Sequence, residues 1–188
     1  MNRVSRKVLQ WQLQTKDPDV FGRFYDLYIE RVYRFIYFKV SSQEEAEDLA
    51  AETFLKVWQH LLDGKKIEHV NAFVYQIARN VVIDWYRKRA SHKMVDIEDE
   101  QLMAVPDEAP SVEDTIALKF DAEQLAKYLR QLKEEYRDII ILKYLDELSV
   151  EEIATVLDTS RGNVRVLTHR ALATLRQIIE QDNHHALS

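Results

Sequence analysis

No cysteine occurs in the 188 residues, which excludes a disulfide scaffold, a thiolate metal site and a thiol nucleophile. Glycine and proline number three each, too few glycines for a phosphate-binding loop of the Walker or dinucleotide kind. No apolar run approaches the roughly 18 residues that suggest a membrane span. The first residues (Arg3, Arg6, Lys7, then Trp11 among glutamines) lack the apolar stretch of a secretory signal. His60, His69, His92 and His169 lie in separate segments without ligand spacing, and His184-His185 stand near the end, so no metal site is expected. Asp48 and Glu52 form an i, i+4 carboxylate pair with no nucleophile or orienting partner nearby, so neither a catalytic set nor a cofactor is expected. The expectation is a soluble, cytoplasmic, helical protein without membrane insertion, long enough for one medium domain or two small ones.

Charge is plentiful but segregated. The net −6 argues against a nucleic-acid partner until its distribution is considered. Residues 94–114 carry eight acids and no Lys or Arg, and without them the rest of the chain is net positive. Residues 65–93 hold seven bases against two acids, and residues 159–179 hold four arginines and no acid. Two basic blocks flank an acidic spacer. That spacer includes Pro106 and Pro110 and has no sustained apolar period, which predicts a linker at 94–112. It separates an N-terminal domain (1–93) from a C-terminal one (113–182), with a frayed tail from about 180 onward, at least 183–188.

Helical periodicity dominates, and strand-like alternation is essentially absent. Phe21, Phe24, Tyr28, Val32 and Phe35 predict a helix over about 19–40. Ser42-Gln-Glu-Glu45 is a capping-box pattern, opening a second helix that stops near Asp63-Gly64. Its Asp48, Glu52, Phe54 and Trp58 lie off the single core row, and exposed aromatics beside fixed carboxylates suggest a protein-docking face, although a helix buried on two sides of a small bundle fits the same spacing. A basic loop from Lys65 to Val70 leads to a third helix over about 71–88, where bases alternate with aromatics and Arg79 and Asn80 lie opposite the apolar row. Such a surface can follow a backbone while receiving unstacked bases, although a core helix with a basic C-terminal end fits that segment equally.

In the C-terminal part, Leu125, Tyr128, Leu129 and Leu132 mark one helix, and Tyr136 to Leu145 a second. Ser149-Val-Glu-Glu152 is a second capping box. A tight Asp158-Thr159-Ser160 connection then leads to a helix with Val164, Leu167, Ala171, Leu175 and Ile178 inward. This is helix-turn-helix form. Burying that row turns Arg161, Arg165, Thr168 and His169 outward near the N-terminal half of the last helix, the part that enters a major groove. Ser160 as N-cap leaves the positive helix end available to a phosphate. These features alone also fit a free-standing helix-turn-helix regulator with an N-terminal sensor or dimerisation domain, or a helical adaptor that binds only protein.

Two segments carry a family resemblance. Ala46-Glu-Asp-Leu-Ala-Ala-Glu-Thr-Phe-Leu-Lys-Val-Trp58 followed by Ala72-Phe-Val-Tyr-Gln-Ile-Ala-Arg-Asn-Val-Val-Ile-Asp-Trp-Tyr-Arg87 resembles region 2 of bacterial sigma factors. Tyr136 to Ala154 followed by Gly162 to Ala171 resembles region 4. The size, without a region 3, is similar to the extracytoplasmic-function subgroup of the sigma-70 family. The resemblance implies an all-α protein of two small helical domains, a three-to-four-helix bundle and a helix-turn-helix domain, that binds core RNA polymerase and promoter DNA. Asp48, Leu49, Glu52, Phe54 and Trp58 would dock on the β′ coiled coil, with the β flap as a further polymerase contact. Lys65, Lys66, Asn71, Arg79, Asn80, Arg87, Lys88 and Arg89 would serve the −10 element. Lys143, Ser160, Arg161, Arg165, Val166, His169 and Arg170 would serve the −35 element. The acidic linker would thread the polymerase's nucleic-acid channels, and an anti-sigma factor is an implied regulatory partner. Departures from the family pattern are Ala51 in place of a frequent Gln, Lys133 in place of Pro, and Val166-Leu-Thr-His169 in the recognition helix.

Overall fold

The computed structural model describes residues 16–40, 42–91 and 122–186. The linker expected at 94–112 lies outside the described residues. Those described form helices and turns with no strand among them: α1 (Pro18–Tyr37), α2 (Gln43–Leu62), α3 (Val70–Ser91), α4 (Ala122–Gln131), α5 (Glu134–Ile140), a π turn (Ile141–Leu145), α6 (Val150–Val156) and α7 (Arg161–Ala186).

The first three helices close a bundle. Asp17 caps α1 by accepting from the Asp19 amide at 2.9 Å, and Pro18 opens the first turn, where its missing N–H costs nothing. The buried stripe Val20, Phe24, Tyr28, Val32, Phe35 and Ile36 follows the helical period. Its rings meet others from the neighbouring helices: Phe24 packs against Phe54 at 6.0 Å and Phe35 against Tyr75 at 5.4 Å, both edge-on. Gly64 at φ +75° ends α2, and Lys16 donates to the Leu62 carbonyl left open there at 2.9 Å. The capping box expected at Ser42 forms only in part. Ser42 accepts from the Glu45 amide at 3.1 Å, while the Glu45 carboxylate is drawn to Arg89 of α3.

The second unit packs α7 across α4, α5 and α6, burying Val164, Ala171 and Leu175 as the spacing requires. The helix expected from Tyr136 to Leu145 changes pitch at Ile141, where the Asp146 amide reaches the Ile141 carbonyl at 3.0 Å. The Ser149–Glu152 capping box is complete. The tail expected to fray is helical instead: α7 runs to Ala186, and Asp182 accepts from the Tyr128 hydroxyl at 2.8 Å. A hydrogen bond from a buried phenol gives the last turns a tertiary anchor.

The two units are not independent. α3 packs on α6, and side chains of α1 and α3, with Lys39 just after α1, pair with groups between Asp138 and Thr155.

Candidate nucleic-acid interface

Ser160 caps α7 as expected, accepting from the Asn163 amide at 3.1 Å, and the Asn163 side chain donates to Thr159 Oγ1 at 2.9 Å. That fixes the turn between α6 and α7. Beyond it, Arg165, Val166, His169 and Arg170 are all exposed, with Val166 47% accessible. They form one solvent-facing stripe on the N-terminal half of the helix. Arg161 is tethered to Glu151 at 3.3 Å; a hydrogen bond from its own backbone, and then this pairing, hold the Glu151 carboxyl below the usual carboxylate range. Lys143 is half-buried with its ammonium over the Tyr144 ring at 5.7 Å.

The residues expected on the α3 side divide into two groups. Lys65, Lys66, Asn80, Arg87, Lys88 and Arg89 are exposed. Lys65 reaches Asp63 at 3.1 Å, Arg87 reaches Asp84 at 3.6 Å, and Arg89 both pairs with Glu45 and lies over Trp85 at 5.0 Å. Asn71 and Arg79 are engaged elsewhere. Asn71 is 5% accessible, accepts from the Tyr28 hydroxyl and donates to Glu152 Oε1 at 2.8 Å. Arg79 donates to Asp138 Oδ2 at 3.0 Å. Arg79 therefore lies against the second unit and is only partly accessible, while its neighbour Asn80 stays exposed as expected.

Residues 24–92 match Sigma-70 region 2, and residues 122–175 match Sigma-70, region 4. Over 175 residues the chain is 30% identical to the ECF RNA polymerase sigma factor SigW of Bacillus subtilis, covering 88% of this chain and 92% of that one. The chain belongs to the extracytoplasmic-function group of sigma-70 factors. It is also 30% identical over 173 residues to the ECF RNA polymerase sigma factor BldN of Streptomyces coelicolor, covering 90% of this chain but only 64% of the relative's length. The RpoE sigma factor from Bartonella quintana, solved in complex with the anti-sigma factor NepR, shares the fold at TM-score 0.67 and 22% identity, covering 85% of this chain and 96% of that one. As a sigma factor the protein binds core RNA polymerase and directs promoter-specific initiation. Its family consists of non-catalytic initiation factors.

The α2 face of this sigma factor differs from the sequence expectation. Leu49 and Phe54 are core residues, 5% and 3% accessible, and Trp58 is half-buried against Phe21 at 4.7 Å. The helix is buried on two sides, so its aromatics serve packing. Asp48 remains exposed, and Glu52 pairs with Lys56 at 2.9 Å. Two leucines of α2 reach solvent: Leu55, 63% accessible and beside exposed Ala51, and Leu62 at the helix end, 49% accessible. Leu55 was legible as the leucine out of register with the buried Ala46, Ala50, Val57 and Leu61. Spacing gave no weight to it beside a more conspicuous phenylalanine.

Proposed function

We propose that the exposed stripe of α7 reads duplex DNA at the −35 element, while the 65–70 loop and α3 take the −10 element as single strand. The observation that carries this reading is the acid-free run of Arg165, Val166, His169 and Arg170 on the N-terminal half of α7. Arg165 has the geometry to donate to a guanine edge, which is worth about 1–3 kcal/mol of discrimination. Arg161 and Arg170, flanking it, suit phosphates. With Leu167 and Thr168 half-buried, base readout rests on a few side chains.

For polymerase, the row Asp48, Ala51, Glu52 and Leu55 is the docking face on α2. It combines one exposed leucine with carboxylates at helical spacing, the composition of an interface with an apolar anchor and polar rim. The protein acts in the cytoplasm, where its template is. An anti-sigma factor is proposed as its regulator, supported by the complex in which the Bartonella quintana relative was solved.

The decisive experiment is run-off transcription with purified core polymerase, with and without this protein. The reading requires promoter-dependent transcripts only when the protein is present. Tight operator binding by the free protein, with no effect on polymerase, would instead establish a free-standing regulator.

A further inference from the structure

α7 carries an apolar side chain that its own core does not use. Val164, Ala171 and Leu175 are buried, and at about 100° per residue Val166 lies nearly opposite Val164. Among the described residues of the C-terminal unit, Val166 is the one large apolar side chain that stands exposed. Arg165 and His169 flank it on one side and Arg170 on the other, all of them exposed. The two residues that follow Val166 turn inward: Leu167 packs against the core, and the Thr168 hydroxyl donates to the Val164 carbonyl at 2.7 Å. Gly162, one turn before Val166 on the same face, is exposed and has no side chain to hold an approaching surface away. A lone exposed valine is ordinary, but the flanking cations restrict what can cover this one. The covering surface must offer negative charge on both sides and an apolar group in the middle. Duplex DNA has that form, with phosphates along both rims of the major groove and the thymine C5-methyl as the apolar group displayed within it. Against any other base edge, the valine would take water from a donor or acceptor without replacing its hydrogen bond.

We propose that Val166 is a specificity-determining residue that selects a thymine in the −35 element through contact with its C5-methyl group. The inference rests on the assignment of the α7 stripe to the −35 duplex, and it names a base that the stripe reads. Valine suits the task because its two methyl groups sit on a side chain with one strongly preferred rotamer in a helix, so little freedom is lost on contact. Arg165, His169 and Arg170 then supply charge and hydrogen bonds around an apolar centre. Cytosine, adenine or guanine in place of that thymine brings an amino group, a ring nitrogen or a carbonyl toward the valine instead of a methyl. The contact also separates thymine from uracil, which pairs identically and differs only in lacking the methyl.

The test uses holoenzyme assembled from core polymerase and the full-length protein, on a promoter that it transcribes. Each thymine of the −35 region, on either strand, is replaced singly by deoxyuridine, which removes one methyl group and leaves every donor and acceptor in place. Promoter affinity, measured by competition binding, should fall about fourfold at one of these thymines, the worth of a single buried methyl group. Val166→Ala should bind the unmodified promoter about fourfold more weakly and be indifferent to uracil at that thymine, as the loss of one pairwise contact requires. Val166→Ile, which keeps a branched apolar group, should retain the sensitivity. Circular dichroism checks that both variants are folded. Holoenzyme indifferent to every single uracil overturns the proposal. So does a folded Val166→Ala protein that stays as sensitive as the parent, because the methyl effect would then belong to DNA stiffness or to another side chain. Run-off transcription from the unmodified promoter is measured in parallel. Absence of transcripts removes the initiation reading itself, whereas normal transcription without methyl dependence removes the thymine contact alone.

Discussion

Among the described residues, Arg165, Val166, His169 and Arg170 of α7 face solvent, whereas Asn71 and Arg79 of α3 are held by carboxylates from another part of the chain. Both helices are basic and both sit on an apolar core, yet one is presented and the other half covered. The difference follows from what each packs against. α7 is the last helix of its unit and spends its apolar row on α4, α5 and α6, leaving the opposite stripe to water. α3 is buried along Ala72, Val74, Tyr75, Ala78, Val81 and Val82, and the edge of that stripe meets α6. A basic helix is therefore a DNA surface only where its polar side is left vacant by the rest of the fold.

The sharpest way to break this comparison is at Asp138. Asp138→Ala takes from the buried Lys39 ammonium its partner at 2.6 Å, leaving it Glu134 at 3.5 Å, and frees Arg79; removing one member of a buried pair costs up to about 3–5 kcal/mol. Arg170→Ala on the open stripe should cost under about 0.5 kcal/mol. Urea denaturation of the two variants checks both, and a small effect at Asp138 would mean that the contact between the units contributes little.

A similar contrast within α2 concerns polymerase. Phe54→Ala empties a core site and should destabilise by about 3–5 kcal/mol, so any loss of polymerase binding in that variant reports unfolding. Leu55→Asp leaves the core intact and should weaken retention of core polymerase in a pull-down at unchanged thermal stability. Full retention by a folded Leu55→Asp protein would remove α2 from the docking face.

On the open stripe, Arg165→Ala should reduce −35-dependent transcription by about 1–3 kcal/mol of discrimination while polymerase binding stays intact. Equal loss of both would place Arg165 outside the groove. The smallest expected effect concerns pH. Burial raises the Asp146 carboxyl above the ordinary aspartate range, against the opposing pull of Arg34 and Arg31. Because the folded carboxyl holds its proton more tightly than an exposed one, the stability tied to it is complete below the ordinary range. It is lost as pH rises through the raised value. Asp146→Asn should flatten that part of a stability–pH profile, measured by urea titrations in mildly acidic buffers; an unchanged slope would assign the dependence to other groups.

How much was legible beforehand varies by kind of residue. The stripes of α1 and α7, the stop at Gly64, the Ser149 box and the exposed Arg165 and His169 all follow from period and capping chemistry, which act within a few residues of sequence. Phe54 was misjudged because two apolar rows on one helix are compatible with either a docking face or burial on both sides, and only a third helix decides between them. Glu152 shows the same limit within one side chain. Its capping role is written in the spacing Ser149-x-x-Glu152, but its second oxygen is taken by Asn71, 81 positions earlier in the chain.

The sequence by itself determined the helical class, the separation of charge and the outward stripe of the last helix, because those depend on local hydrogen bonding and on an apolar period that any folded core must satisfy. Which basic side chains stand open and which are paired was decided only by tertiary structure. Lys39 and Asp138 lie 99 positions apart, and no local pattern distinguishes a charge bound for solvent from one bound for a buried partner.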